Sequence, residues 1–313
     1  MILSRQLKLL FILLSTLGIA AWSTFTRAEP ASAQDCRVSQ PDRVVSKKHL
    51  PFSDAVLWKV TKANGAPSYI FGTIHVSDPE INNLPEPVKQ ALTNAQEFVM
   101  EAVPEPEQMM QFSQMMFFQN EDTLNNYLDK DLFDRTVKIL GKYNMPLQAV
   151  TQMKPWAAFL VMNYPADQGV ALDLQLLQIA SERGEKIQGL ESMTEQANVF
   201  AGMDMNEQVQ LLIDTVCNYD DVVAEFDSMK TMYKQRDLQG LYYNAISSFP
   251  DEKLYNDLMD RILTKRNKNM AQRAVPFLDS GNSFIAIGAM HLPGEQGVLS
   301  LLQQDGYTLQ AVY

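Results

Sequence analysis

Short runs of alternating or continuous apolar residues mark both ends of the chain, and the long middle repeats its apolar positions at helical spacing. Leu57-Trp58-Lys59-Val60 reads as a strand, Asn64-Gly65 as a tight hairpin turn, and Ser68-Tyr69-Ile70-Phe71 as a return strand running into Gly72-Thr73-Ile74-His75. The pattern then predicts a helix over about 86–94, with Pro85 and Pro87 at its first turn, and a strand over 97–103. From about Pro104 to Met270 the period becomes helical, as in Leu132/Phe133/Val137/Leu140, Trp156/Phe159/Leu160 and Leu172/Leu176/Leu177/Ile179. One run inside that stretch, Lys186-Ile187-Gln188-Gly189-Leu190, is more strand-like and leads into Glu191. β character returns in Ser283-Phe284-Ile285-Ala286-Ile287-Gly288, which Ala289-Met290-His291 ends. A turn and short helix over 294–305 and a last strand over 307–313 follow.

This order predicts an α/β (α+β) fold: two related β-rich ends share a central sheet, and a large helical insert separates them. The expected division is a polar lead-in over 34–53 and a single domain over 54–313. Within it, 54–103 is β-rich, 104–270 helical and 271–313 β-rich again. The first 33 residues read as an address. Arg5 and Lys8 precede an apolar run from Leu9 to about Trp22, and Ala31-Ser32-Ala33 offers a cleavage site after Ala33. That run is shorter than the ~20 residues a spanning helix needs. The expectation is a periplasmic or secreted protein with no membrane span once the leader is removed.

Composition narrows the function. With 46% hydrophobic residues in 313, the chain can bury a sizeable core, which excludes a disordered protein. A formal charge of −11 and a pI near 4.8 argue against nucleic acid as a partner, because phosphate contacts need clustered Lys and Arg. Two cysteines, Cys36 and Cys217, cannot build a four-thiolate zinc site. In an oxidising compartment they could form one bridge or stay as two thiols. The run Met109-Met110…Met115-Met116-Phe117-Phe118 suggests soft copper ligands. At helical spacing it more often fills a core or lines a groove.

The chemistry concentrates in a repeated unit. Gly72-Thr73-Ile74-His75 and Gly288-Ala289-Met290-His291 each end a hydrophobic strand, and each is followed by a loop, a helix and a closing strand. Strand carboxyl ends are where α/β sheets bind ligands. The chain has three histidines; His49 lies in the lead-in and reads as solvated, so the other two occupy the matched positions. Packing of the two units about a pseudo-twofold axis would bring both imidazoles to one point. Glu101 sits in the first closing strand, where the second unit has Gln310. A carboxylate in an apolar strand must be exposed, paired or coordinated. His75, His291 and Glu101 are a sensible donor set for a divalent metal, with Glu101 also a candidate base. Arg266 could orient a substrate carboxylate or stabilise an oxyanion, or form a salt bridge tying the insert to the sheet. Arg266, Asn267 and Glu191 are the candidate substrate-binding residues, Glu191 reading equally as part of a helix cap with Ser192 and Glu195. Asp173 reads as structural support.

These residues resemble the TraB/GumN family, related to the Tiki proteases and more remotely to erythromycin esterases. The resemblance rests on Leu57-Trp58-Lys59-Val60, Ser68 to His75, and Glu101. It continues through Lys154-Pro155-Trp156, Gly169 to Asp173, Gly189-Leu190-Glu191, Arg266-Asn267, and Ala286 to Gly294. It implies a pocket containing His75, His291, Glu101 and Arg266, and, from the Tiki branch, metal-dependent proteolysis. Two functions follow as expectations. One is an exported metal-dependent hydrolase of peptides, with a divalent ion of open identity (Mn, Co or Zn) and a peptide or small-molecule substrate; metal-free esterase chemistry is a softer variant. The other is a non-catalytic envelope protein that binds or regulates through the same pocket.

Overall fold

The computed structural model describes residues 30–36, 48–62, 65–166, 169–247 and 252–313. Most of the expected leader, much of the lead-in and the turn residue Asn64 lie outside them. Six strands form one mixed sheet: β1 (Leu57–Thr61), β2 (Ser68–Thr73), β3 (Glu97–Ala102), β4 (Lys186–Glu191), β5 (Ser283–Gly288) and β6 (Thr308–Ala311). Their spatial order is β4-β3-β5-β2-β1-β6. The first and last parts of the chain therefore meet in one sheet, as the β-rich ends predict. The two strands that carry Gly-x-x-His, β2 and β5, are immediate parallel neighbours, with Tyr69 opposite Phe284 and Thr73 opposite Gly288. This adjacency is enough to bring the two units together.

β2, β3 and β5 are buried along nearly their whole length, as expected of parallel strands covered on both faces, and so read as continuous apolar runs. β6 is a largely exposed edge, paired antiparallel to β1. Leu172–Glu182 and Lys265–Ser280 cover the sheet through Leu172, Leu176, Met270 and Ala274. The last of these helices runs on past Met270 to Ser280 and encloses Pro276, so helix extends further into the second β-rich end than the periodicity predicts.

The insert has its own core, in which Trp156, Met162, Leu132, Leu140 and Leu212 are fully or almost fully buried. Cys36 and Cys217 are bridged, with Cα atoms 5.7 Å apart, which ties the start of the lead-in to this helical core. The methionine-rich helix Pro106–Met115 contributes no buried residue. Met109 and Met110 are exposed, while Met115 and Met116 pack partly against the insert core. The insert docks on the sheet through Tyr233, whose buried hydroxyl donates to the Gly72 carbonyl at 2.7 Å.

Gly72 also explains the first glycine of the motif. A methyl group there would lie 2.7 Å from Leu292 Cδ1 and 3.0 Å from Ala289 Cα, so only glycine lets β2 pack against the turn that follows β5. Gly72→Ala is expected to destabilise the fold by about 1–3 kcal/mol through overpacking, read as a lower denaturant midpoint with unchanged slope. Cys217→Ser is expected to cost about 2–5 kcal/mol, and dithiothreitol should lower the wild-type melting temperature while leaving the variant's unchanged.

Candidate functional site

Four parallel strands deliver four side chains to one end of the sheet. His75 follows β2 by two residues, Glu101 is the penultimate residue of β3, Glu191 ends β4, and His291 closes the 3-10 turn Ala289–His291 directly after β5. Gln310, the counterpart of Glu101, lies on exposed β6 at the far edge, so the closing strand of the second unit sends no group to the site.

Both histidines are anchored through the same ring atom. His75 Nδ1 is 2.8 Å from Asp173 Oδ2, and His291 Nδ1 is 2.6 Å from Asn267 Oδ1. Asn267 Nδ2 donates to the Gln296 carbonyl at 2.8 Å, which identifies the atom facing His291 as the amide oxygen. Both partners are acceptors, so each Nδ1 carries a proton, and the free lone pair of His291 is on Nε2.

Glu101 is 8% exposed and paired at both oxygens. Oε1 accepts from the Gly288 backbone N–H at 2.6 Å and lies 3.6 Å from His291 Nε2. Oε2 accepts from Arg266 Nη2 at 2.7 Å and from Gln196 Nε2 at 3.1 Å. A methyl group on Gly288 would stand 3.0 Å from Glu101 Oε1, so the glycine makes room for the carboxylate. Arg266 also holds Glu191 in a fork, Nη2 to Oε2 at 2.7 Å and Nε to Oε1 and Oε2 at 3.2 and 3.0 Å. Just before Arg266 the helix widens into a π-helical segment, Asp260–Thr264, a local geometry often found at functional sites.

The two matched histidines differ electrically. Burial works against a charge on His75, but the hydrogen bond and charge of Asp173 overcome it and raise its pKa to about 9. At His291 burial dominates, and the pKa falls to about 3. Burial alone would raise Glu101. The His291 ring, the Arg266 guanidinium, His75 and the Gly288 N–H outweigh it and hold the carboxylate at about 2. Near neutral pH the site therefore holds a charged His75, a neutral His291 and an ionised Glu101.

All of these except Glu191, Asn267 and Asp173 line a cavity of about 540 Å³ between the strand ends and the insert. Arg266 touches the cavity with its charge directed at Glu101 and Glu191. Asn267 supports His291, and Glu191 supports Arg266 from behind. The helix after β4 is capped by Ser192 and Glu195, in a reciprocal capping box that leaves Glu191 to the arginine. Asp173 lies behind His75, a role its placement four residues after Gly169 in the motif could have signalled. Gln196 carried no sequence signal of its own. The donor chemistry suits a divalent cation: nitrogen and carboxylate donors, and two rings oriented through Nδ1 by acceptors. Among the described residues, no group of three or more His, Cys, Asp or Glu is gathered closely enough to hold a metal ion.

A model of the TraB/PrgY/gumN family matches residues 56–311. Relatives include "Metalloprotease TIKI2" of Danio rerio, 25% identical over 89% of this chain, and "Metalloprotease TIKI2" of Xenopus tropicalis, 22% identical over 94%. "Metalloprotease TIKI homolog" of Amphimedon queenslandica is 20% identical over 82%. The chain spans 65% of the length of the first two and 61% of the third. No solved structure matches.

The split between the histidines is directly measurable. In metal-free protein, NMR titration should place the His75 ring near pH 9 and keep His291 neutral down to about pH 3. Asp173→Asn should bring His75 down while leaving His291 in place. Because the folded pKa of His75 lies above the ordinary 6.5, its pairing contributes stability fully below pH 6.5 and loses it as pH rises through about 9. The melting-temperature gap between wild type and Asp173→Asn should close over that range. It should be small throughout, because the His75 side chain is 44% exposed and solvent screens the pair.

Proposed function

Because the chain belongs to the TraB/PrgY/gumN family, we propose that it is a metal-dependent hydrolase of peptide bonds acting at the cavity lined by His75, Glu101 and His291. One observation carries this reading. Two imidazoles oriented through Nδ1 stand at the ends of neighbouring strands, beside an ionised carboxylate whose Oε1 lies 3.6 Å from a free ring nitrogen. The metalloprotease names of the relatives support the reaction class.

His75, His291 and Glu101 would hold the ion, for which they would have to draw closer together than they stand here. The chemistry such an ion would supply when bound is acidification of a water and polarisation of the scissile carbonyl. Asp173 and Asn267 keep both rings in the tautomer that leaves Nε2 outward. Arg266 keeps Glu101 ionised, and a carboxylate held at about 2 is a weak base, which favours a ligand role over proton abstraction. The charged His75 must give up a proton before it can bind a cation, so metal binding there competes with the proton that Asp173 stabilises. We also propose export, with Ala33 as the end of a cleaved leader. The Cys36–Cys217 bridge supports an oxidising compartment.

Peptide cleavage by the purified protein should vanish with EDTA and return with added Mn, Co or Zn. His75→Ala and His291→Ala should each reduce kcat/KM by about 10²-fold or more with the fold retained. Metal affinity should rise roughly tenfold per pH unit as pH climbs toward 9, a slope lost in His75→Ala. Stoichiometric ligand binding without turnover under any of these metals would instead support a non-catalytic binding protein.

A further inference from the structure

Most of the polar groups that line the cavity gather on one side, Asn163 and Tyr164 of the insert being exceptions. His75, Glu101, Arg266, Gly288 and His291 stand at the strand ends, with Gln196 beside them. The remaining walls are almost wholly apolar and come from separate helices. Phe226, Met229 and Tyr233 form one face of Tyr219–Lys234, at the i, i+3, i+7 spacing of a helical stripe. Tyr255, Leu258, Ile262 and Leu263 form a second wall on the helix that leads into Arg266. Phe159, Phe200 and Met193 form a third, and Phe112 of the methionine-rich helix closes over them.

The charge inventory is equally one-sided. Among the described residues, no lysine and no aspartate line the cavity, and its one arginine is already paired with Glu101 and Glu191. A substrate carboxylate entering these walls would find no unused cation, because Asp173 already holds the charged His75. A substrate ammonium would find no carboxylate beyond Glu101, whose oxygens already accept from Gly288, Arg266 and Gln196. Burying either charge unpaired is costly, whereas apolar side chains gain about 25 cal/mol per Å² buried. The volume of about 540 Å³ lies within the range of small-ligand sites and admits a few side chains, not a folded surface.

We infer that this cavity selects peptides by bulky uncharged side chains, aliphatic or aromatic, next to the bond presented to His75 and His291. The inference rests on the peptidase reading above and adds its specificity. Phe226, Met229 and Ile262 are specificity residues in it, and the methionines and aromatic rings allow several apolar shapes to fit.

Two measurements separate this inference from the reaction it builds on. In the first, a proteome-derived peptide library is digested by the metal-loaded protein and the cut sites are read by mass spectrometry. Leu, Ile, Met, Phe and Tyr should be enriched beside the cut and Asp, Glu, Lys and Arg depleted. Cleavage without that bias would overturn the specificity and leave the peptidase standing. In the second, calorimetry of EDTA-treated protein compares an uncleavable reduced-amide peptide with Leu-Phe at its centre against the same peptide with Asp-Asp or Lys-Lys. The apolar peptide should bind at least tenfold more tightly, and Met229→Lys should remove most of that difference. The same variant should raise KM on apolar peptides about tenfold with a smaller effect on kcat. Selective binding without any cleavage would sink the reaction and support the cavity assignment. Equal binding of all three peptides, or tighter binding of an N-dodecanoyl amide than of the apolar peptide, would overturn the inference.

Discussion

Burying the carboxylate of Glu101 is the constraint around which this end of the molecule is arranged. An ionised carboxylate removed from water needs compensation at both oxygens, and here each donor comes from a different part of the chain. The Gly288 N–H comes from the end of β5, the guanidinium from the helix before it, and the amide of Gln196 from the helix after β4. Arg266, carrying a charge of its own, draws in Glu191 from the end of β4. A single buried charge thus couples the first β-rich segment, the insert and the last β-rich segment.

The same arrangement makes the two Gly-x-x-His units unequal. They resemble one another in sequence and lie side by side in the sheet, yet their histidines meet different partners. A carboxylate stands behind His75 at a half-exposed position, and an amide stands behind fully enclosed His291. Burial and partner act in opposite directions on the first ring and leave it charged, whereas at the second burial dominates and leaves it neutral. The two glycines of the motif differ in function as well. Gly72 admits the backbone turn that follows β5, and Gly288 admits a carboxylate oxygen.

The insert does more than separate the halves of the sheet. Its own core, closed by the Cys36–Cys217 bridge, holds helices whose inner faces become the walls of the cavity. The Tyr233 hydroxyl fastens that body to the backbone of Gly72, three residues before His75. A rigid sheet supplies the polar groups, and packed helices supply the apolar surface that faces them.

The apolar pattern located all six strands within a few residues, most plainly β2, β3 and β5, because strands buried on both faces must be continuously apolar. The scarcity of histidine and the matched Gly-x-x-His units then singled out His75 and His291, and an acidic residue in an apolar strand singled out Glu101. These are local signals, carried by composition and spacing. The partners were not legible in that way. Asp173 read as structural support, Asn267 as a substrate contact, and Gln196 as nothing in particular, because each acts across roughly 25 to 100 residues of intervening chain. Whether a buried charge is paired, which tautomer a ring adopts and which helix faces form one cavity depend on distances between segments remote in sequence. Those distances exist only once the sheet has assembled and the insert has closed over its strand ends.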